Sequence, residues 1–252
     1  MENLGQFYLK SNNFDGPKYT IEFLNRLVSN HLASFPFNNI EVYQSKGTKI
    51  LSLETKDLFQ KIVVEKRGGY CFEQNKLMYE VLKDLKFNVS AHLGRVVYNR
   101  EIDAPRTHRM TILNLNNQLY LVDVGFGPYT PNRIIALNGE KTNILEENYY
   151  IKENSGLYTL IVEKEEGPFS LYTFDLNACQ ESDFELGNYY TNTHPNSKFV
   201  NELIISKKDD EKIVFYSANK IVTLKNKNRS EIDVSSEEEL KKAIEENFSL
   251  AL

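Results

Sequence analysis

The hydrophobic period of this chain changes near residue 88, and this change limits the folds that the chain can adopt. Residues 20–35 carry apolar side chains at steps of three and four, which is the spacing of an amphipathic helix, and Thr20 is placed as its N-cap. The same spacing predicts helices over residues 55–65 and 71–85. From residue 88 onward apolar and polar residues alternate, as they do in half-buried strands. We therefore expect a helical first third followed by β-structure.

The clearest strands are predicted to form a β-hairpin around Asn116-Asn117, a two-residue turn signal. A two-residue turn places Met110 opposite Asp123, so that His108 and Asp123 become diagonal neighbours on one face of the sheet. Such neighbours lie about 7–8 Å apart, a gap that an imidazole and a carboxylate can bridge, whereas a three-residue loop would break this parity. Asp123 also lies in a mostly apolar run, where an acid needs a partner.

Further strands and one helix are predicted in the rest of the chain. The strand-like runs outside the hairpin are residues 89–97, 149–152, 157–163, 169–174, 201–206, 212–216 and 220–225. Ser236 and Glu239 have the spacing of a capping box, which predicts that a helix begins near Ser236. The sequence shows no internal repeat and no low-complexity linker.

Composition and charge exclude several classes of function. Of the 252 residues, 41% are apolar and 26% are charged, which is ordinary for a soluble globular protein. The net charge of -5 provides no basic surface for nucleic acid. The first ten residues are polar and mixed, and no apolar run approaches the roughly 20 residues of a membrane span. We therefore expect no signal peptide, no nucleic-acid partner and no membrane partner, and the sequence leaves the oligomeric state open.

The cysteine content indicates a reducing compartment. Cys71 and Cys179 are the two cysteines, which are too few and too distant for a disulfide framework. The cytoplasm is the simplest location, and it keeps a thiol usable. Two cysteines and four scattered histidines lack the spacing of zinc ligands, so we expect no metal.

Cys71 is the candidate nucleophile. Gly68 and Gly69 permit a sharp turn that places the thiol in the first turn of a helix. Unpaired N–H groups and the positive end of the helix dipole favour an anion there, so the pKa of such a thiol can fall to about 3.5–7.5, especially beside an imidazolium. The same N–H groups could hold an oxyanion during attack on an acyl group. The alternative is that Cys71 is a small buried hydrophobic residue, as most unpaired cysteines are; Cys179, which has no such turn, is expected to be structural.

His108 is the candidate base for this thiol. His31 is expected on a helix, at the surface or half-buried. His92 is expected to be exposed on a strand, and His194 is expected in a loop. Only His108 has an acid, Asp123, as its predicted neighbour. The pair alone could stabilise the hairpin, but together with Cys71 a Cys-His-Asp relay is the favoured interpretation.

Two glycines directly follow the acid. Gly125 and Gly127 permit close approach of a ligand to the backbone, and a tight turn at the end of a strand explains them equally well. Neither Gly127 nor Gly69 is followed by Lys-Ser or Lys-Thr, so the segment is not a Walker loop.

Five segments that surround or follow these candidates form a recognisable series. They are residues 36–40 (PFNNI), 67–75 (RGGYCFEQN), 107–110 (THRM), 122–127 (VDVGFG) and 188–199 (NYYTNTHPNSKF). In this order and spacing they resemble the arylamine N-acetyltransferase family. The second, third and fourth segments resemble the family's cysteine, histidine and aspartate segments.

The resemblance implies an α+β fold in three parts, with a catalytic core like that of cysteine proteases. A helical bundle over residues 1–87 would carry the nucleophile, and a β-barrel-like domain over residues 88–195 would carry the histidine and the aspartate. A small α/β lid would follow over residues 196–252.

The resemblance also implies a ping-pong reaction with acetyl-CoA as the acyl donor. Cys71 would take the acetyl group as a thioester, and an arylamine, arylhydroxylamine or hydrazine would accept it. His108 would activate the thiol, and Asp123 would orient His108. Further residues match family positions that contact substrate, namely Phe37, Thr107, Phe126 and Phe199, while Gly125 and Gly127 are candidates for approach by acetyl-CoA.

Two positions depart from the family pattern, and alternatives to acetyl transfer remain. Asn38 replaces a glutamate and Ser11 falls where the family usually has arginine; our hypothesis is that an ion pair has been lost as a whole, because losing both partners can be nearly neutral. A thiol amidohydrolase or transglutaminase-like enzyme would use the same relay, since it also forms an acyl-thioester. A binding protein that keeps the fold without turnover is a third possibility.

Overall fold

The computed structural model describes residues 3–101, 103–226 and 228–252, and it has an α+β fold, as expected. Within these ranges the α-helices are α1 (Leu4–Ser11), α2 (Ile21–Ser34), α3 (Ile40–Ser45), α4 (Thr55–Phe59), α5 (Cys71–Asp84), α6 (Glu181–Thr193), α7 (Lys198–Asn201) and α8 (Glu237–Phe248). None of the described helices is long and apolar enough to cross a membrane.

Four helices of the first third, α1, α2, α4 and α5, pack around one apolar core, and the last three of them were predicted. Thr20 caps α2 by accepting a hydrogen bond from the Phe23 N–H at 3.2 Å, which confirms the predicted start. The helix predicted over residues 55–65 changes character, because α4 continues as a π-helical turn over Gln60–Val64. Helix α1 was not predicted; it packs against α5 through buried residues such as Tyr8 and Leu9.

The main sheet is antiparallel and curls until its first and last strands nearly meet. Its strands are β2 (Asn88–Val96), β3 (His108–Leu115), β4 (Gln118–Val122), β5 (Ile135–Ala136), β6 (Thr142–Ile144), β7 (Glu147–Asn154), β8 (Leu157–Lys164) and β9 (Gly167–Phe174). They run in the order β5-β4-β3-β2-β9-β8-β7-β6, and β5 also contacts β7. The sheet is therefore barrel-like, with an apolar interior.

The register of the predicted hairpin is confirmed. Leu115 lies opposite Gln118 and Thr111 lies opposite Val122. Asn116 and Asn117 have φ values of 53° and 64°, as a two-residue turn between twisted strands requires. The local turn thus sets which side chains share a face near the open end of the hairpin.

A second antiparallel sheet joins the two ends of the chain. Its order is β1 (Phe37–Asn38), β10 (Ile205–Lys208), β11 (Lys212–Ser217), β12 (Lys220–Lys225) and β13 (Asn228–Asp233), and α8 packs against it. The strand predicted over residues 201–206 is wrong in its first half, because Asn201 ends α7 and its side chain donates to the Pro195 and Ser197 carbonyls. Strand β13 was not predicted, and its residues are exposed and mostly polar at the sheet edge.

Candidate active site

Cys71 is the first residue of α5, and the turn before it requires glycine. Gly68 has a φ of 62°, and a Cβ there would lie 1.9 Å from the Pro36 carbonyl oxygen. The Tyr70 N–H donates to Glu73 Oε2 at 3.1 Å, which closes a capping box at the helix start. The predicted sharp entry into the helix is therefore present, and it leaves the thiol only 4% exposed.

Three ionic side chains behind this turn were not singled out from the sequence. Lys61, on the π-helical turn, reaches both Glu41 and the buried Glu73 at 2.7 Å. Glu73 uses its other oxygen for the Tyr70 N–H, so the chain of charges ends at the residue next to Cys71. These contacts connect two helices to the start of α5 and stabilise the turn.

His108 and Asp123 meet as the hairpin register predicted. His108 Nε2 lies 2.7 Å from Asp123 Oδ2, and both side chains are buried. The carboxylate also accepts hydrogen bonds from Asn75 Nδ2 at 2.9 Å, the Gly125 N–H at 2.9 Å and the Tyr172 hydroxyl at 2.8 Å. Burial opposes ionisation of Asp123, but the neighbouring imidazole and these donors hold its pKa below the ordinary value. Asp123 is therefore an ionised acceptor that fixes the His108 ring.

Asn75 links α5 to strand β3 and to the segment that follows β4. Its Nδ2 donates to the Arg109 carbonyl at 2.7 Å as well as to Asp123, and its Oδ1 accepts from the Val124 N–H at 2.9 Å. Asn75 follows Cys71 by four residues, so the two lie on one helix face. Neither Asn75 nor Tyr172 was predicted as a site residue. The spacing from Cys71 was the sequence signal available for Asn75, whereas nothing in the sequence connects Tyr172, on distant β9, with Asp123.

Cys71 lies against the segment that precedes His108. Its Sγ is 3.6 Å from the Thr107 carbonyl oxygen, and a Cβ on Gly125 would lie 2.9 Å from Cys71 Cα. Burial, followed by the charge of Asp123, raises the pKa of the Cys71 thiol, while the N–H groups of Phe72 and Arg109 act in the opposite direction. Desolvation therefore outweighs the lowering of the thiol pKa that a helix terminus provides.

One cavity brings the predicted site residues together. It has a volume of about 350 Å³ and is lined by Cys71, His108 and all six predicted binding residues, namely Phe37, Thr107, Gly125, Phe126, Gly127 and Phe199. Asp123 is not part of this lining and contacts the cavity through His108. The Phe126 ring stands edge-on to His108 at 4.8 Å between centroids. The arrangement places a thiol, an imidazole and aromatic walls around one cavity.

A second hollow adjoins this cavity. It has a volume of about 660 Å³, and it shares Pro105, Thr107 and Tyr190 with the cavity around Cys71. Among the described residues, no group of three or more His, Cys, Asp or Glu side chains is arranged to hold a metal ion.

The remaining histidines and the second cysteine lie apart from the thiol. His31 was expected at the surface or half-buried, but it is fully buried between the Tyr8 hydroxyl at 2.7 Å and Gln74 Oε1 at 2.6 Å, because α1 and α5 cover it. His92 was expected to be exposed, yet it is buried beside Ser90. His194 caps the end of α6, and the half-buried Cys179 packs against an apolar cluster.

The two positions that depart from the family pattern have ordinary environments. Asn38 Nδ2 donates to the Arg67 carbonyl at 2.8 Å, and Asn38 Oδ1 accepts from the Ile40 N–H at 3.3 Å. The Arg67 guanidinium pairs with Glu41 at 2.9 Å. Ser11 is exposed at the end of α1. Whether an ion pair once joined positions 11 and 38 stays a hypothesis.

Comparison with known proteins shows consistent similarity. Residues 20–252 match a family model described as N-acetyltransferase. The chain is 35% identical over 211 residues to an arylamine N-acetyltransferase of Mycolicibacterium smegmatis, covering 81% of this chain and 76% of the relative. It is 31% identical over 204 residues to that of Escherichia coli strain K12, covering 80% and 72%.

Solved structures of related enzymes superimpose on nearly the whole chain. The arylamine N-acetyltransferase of Salmonella typhimurium has a TM-score of 0.90 at 26% identity, covering 99% of this chain and 92% of that one. The Mycobacterium marinum enzyme in complex with CoA has a TM-score of 0.88 at 27% identity, covering 96% and 91%.

Proposed function

Because the chain belongs to the arylamine N-acetyltransferase family, we propose that it transfers acetyl groups from acetyl-CoA to arylamines, arylhydroxylamines or hydrazines through a thioester on Cys71. The observation that carries this proposal is the cavity that Cys71 and His108 both line, together with the contact of His108 Nε2 with Asp123. In this scheme residues 1–87 supply the nucleophile, residues 88–195 supply the base and the acid, and residues 196–252 supply Phe199.

In the first half-reaction Cys71 loses its proton to His108. The hydrogen bond from Nε2 to Asp123 fixes the tautomer in which Nδ1 is free to accept a proton. The imidazolium then lies between a thiolate and a carboxylate, so the relay carries the same net charge before and after the transfer. The thiolate attacks the acetyl carbonyl, a C–S bond to Cys71 forms, the C–S bond to CoA breaks, and the CoA sulfur leaves with the proton from His108.

In the second half-reaction the acceptor nitrogen attacks the thioester. His108 takes a proton from the nitrogen, a C–N bond forms, and the Cys71 sulfur leaves as a thiolate. The N–H groups of Phe72 and Arg109 stabilise negative charge at this sulfur. The proton then returns from His108 to Cys71, which restores the starting enzyme.

The lining of the cavity suits both substrates. Phe37, Phe126 and Phe199 provide aromatic walls for an acceptor ring. A cavity of about 350 Å³ takes the acetyl end of the donor, and Arg100 and Lys198 at its lining provide positive charge for the phosphates of CoA. Gly125 and Gly127 line the same cavity, where we place the donor, and the M. marinum relative supports the use of CoA. We place the enzyme in the cytoplasm, where a free thiol stays reduced.

The test is mass spectrometry of the intact protein after exposure to acetyl-CoA. We expect one added acetyl group on Cys71, none on the Cys71→Ser variant, and full labelling of the matched Cys179→Ser variant. Addition of an arylamine should discharge the label with formation of the acetylated amine. No labelling of the wild-type protein would refute acetyl transfer, and discharge by water as fast as by amine would favour the hydrolase alternative.

A further inference from the structure

We propose that Lys208 is a positioning residue for acceptor binding, because it holds in place the segment that carries Phe126. This inference rests on the proposed function, in which Phe126 forms a wall for the acceptor ring. Lys208 belongs to β10 of the second sheet, so it acts on the cavity from outside the hairpin.

Two hydrogen bonds connect Lys208 to Phe126. Lys208 is 3% exposed, and its Nζ donates to the Thr130 carbonyl at 2.7 Å. Thr130 is 1% exposed, and its hydroxyl accepts the Phe126 N–H at 2.7 Å. Between them the chain forms the 3₁₀ turn Gly127–Tyr129, which starts with a left-handed residue at φ 67°. Lys208 therefore holds Thr130 at one end of the turn, and Phe126, which lines the cavity, lies at the other end.

The position of this wall matters for the site. The Phe126 ring lies 4.8 Å from both the His108 ring and the Tyr172 ring, measured between centroids. A displaced Phe126 would change the space offered to an acceptor ring. Other anchors of the same segment lie farther from Phe126, where Asn132 Nδ2 and Arg133 contact Asp210 Oδ1 at 3.1 and 2.8 Å.

The surroundings of Lys208 make a charged amine unfavourable at this position. Burial lowers the pKa of Lys208 to about 7; Glu147 favours its charged form, and Lys164 and Arg133 disfavour it. The Tyr149 ring lies 5.5 Å from Nζ. An apolar side chain of similar length would fill this space without a desolvation cost, but it would leave the Thr130 carbonyl without this donor.

The experiment compares Lys208→Met with Lys207→Met, which makes the same change at a half-buried neighbour on the same strand. Thr130→Val removes the acceptor of the Phe126 N–H and tests the connection from its other end. Hydrogen exchange of the backbone amides in the peptide that contains Phe126 measures how firmly these hydrogen bonds hold the segment, and it requires no enzymatic activity. KM is measured with 4-methoxyaniline and with hydrazine, which has no ring, and Kd of 4-methoxyaniline is measured by NMR titration.

We expect Lys208→Met and Thr130→Val to accelerate exchange at Phe126 by about fivefold or more, since each removes one hydrogen bond of the connection. Both variants should raise KM and Kd for 4-methoxyaniline by a similar factor. KM for hydrazine, kcat and the rate of Cys71 acetylation should stay within about twofold of the wild-type values. The control variant Lys207→Met should match the wild type in every measurement. Unchanged exchange, or equal changes in KM for both acceptors, would overturn the proposal. Absence of acetylation in the wild-type protein would instead refute the proposed function, and the exchange and Kd measurements would still decide the role of Lys208.

Discussion

Replacing Lys208 with methionine should change how the stability of the protein depends on pH. The pKa of Lys208 is lowered by burial from its ordinary value of 10.5 to about 7. Between these two values the unfolded chain binds a proton that the folded protein does not bind. The free energy of unfolding of the wild-type protein should therefore rise with pH in this window, relative to a variant that has no amine.

The size of the effect follows from the two pKa values. The limiting slope is about 1.36 kcal/mol per pH unit for one proton. With partial titration at both ends included, the wild-type protein should gain about 2.5 kcal/mol relative to Lys208→Met between pH 7.5 and 9.5. Loss of the donor to the Thr130 carbonyl costs the variant about 1–3 kcal/mol, but this cost does not depend on pH. The change with pH in the difference between the two free energies of unfolding therefore reports the pKa of Lys208, whereas the lost hydrogen bond adds only a constant to that difference.

Urea unfolding at pH 7.5, 8.5 and 9.5, followed by circular dichroism, measures this difference. The Lys207→Met variant controls for loss of a lysine from the same strand. A difference between wild type and Lys208→Met that stays constant across the three pH values would refute the reasoning. It would mean that the amine keeps its proton in the folded protein, as an accessible lysine does.

Three further variants test the relay and its supports. Asp123→Asn should lower kcat by about three to four orders of magnitude, because the amide favours the wrong imidazole tautomer; near-normal turnover would exclude Asp123 from the role. His108→Gln should raise the pH at which iodoacetamide alkylates Cys71, and an unchanged profile would exclude His108 as the base. Asn75→Ala should reduce the free energy of unfolding by about 2–4 kcal/mol in urea titrations, because Asp123 and two backbone groups lose buried partners; a loss below about 0.5 kcal/mol would contradict this.

The parts of the site that local rules control were predictable. The turn at Asn116-Asn117 sets the hairpin register over a few residues, and that register brings His108 to Asp123. Gly68, before Cys71, likewise acts through its own left-handed backbone angles. Both features depend on neighbours in sequence, so the sequence contains the information in readable form.

The parts that were missed depend on which elements pack together. Tyr172 lies 49 residues from Asp123 in sequence, and it reaches the acid because β9 pairs with β2. His31 is buried because α1 and α5 supply Tyr8 and Gln74 as its partners. Strand alternation placed His92 on a polar face, and it cannot show which later segment covers that face. Long-range packing therefore determines the burial of these residues, and one sequence does not display it.

The burial of Cys71 changes how the reactivity of the site must arise. A thiol whose pKa is raised by desolvation and by Asp123 is a poor nucleophile on its own. In the proposed relay, transfer of its proton to His108 removes this obstacle, because the new imidazolium would stand between two negative groups instead of adding a lone charge to a buried site. A pH profile of Cys71 alkylation therefore tests the proposed proton transfer from the thiol. The buried carboxylate, which opposes a free thiolate, is for this reason the group that makes the ion pair favourable.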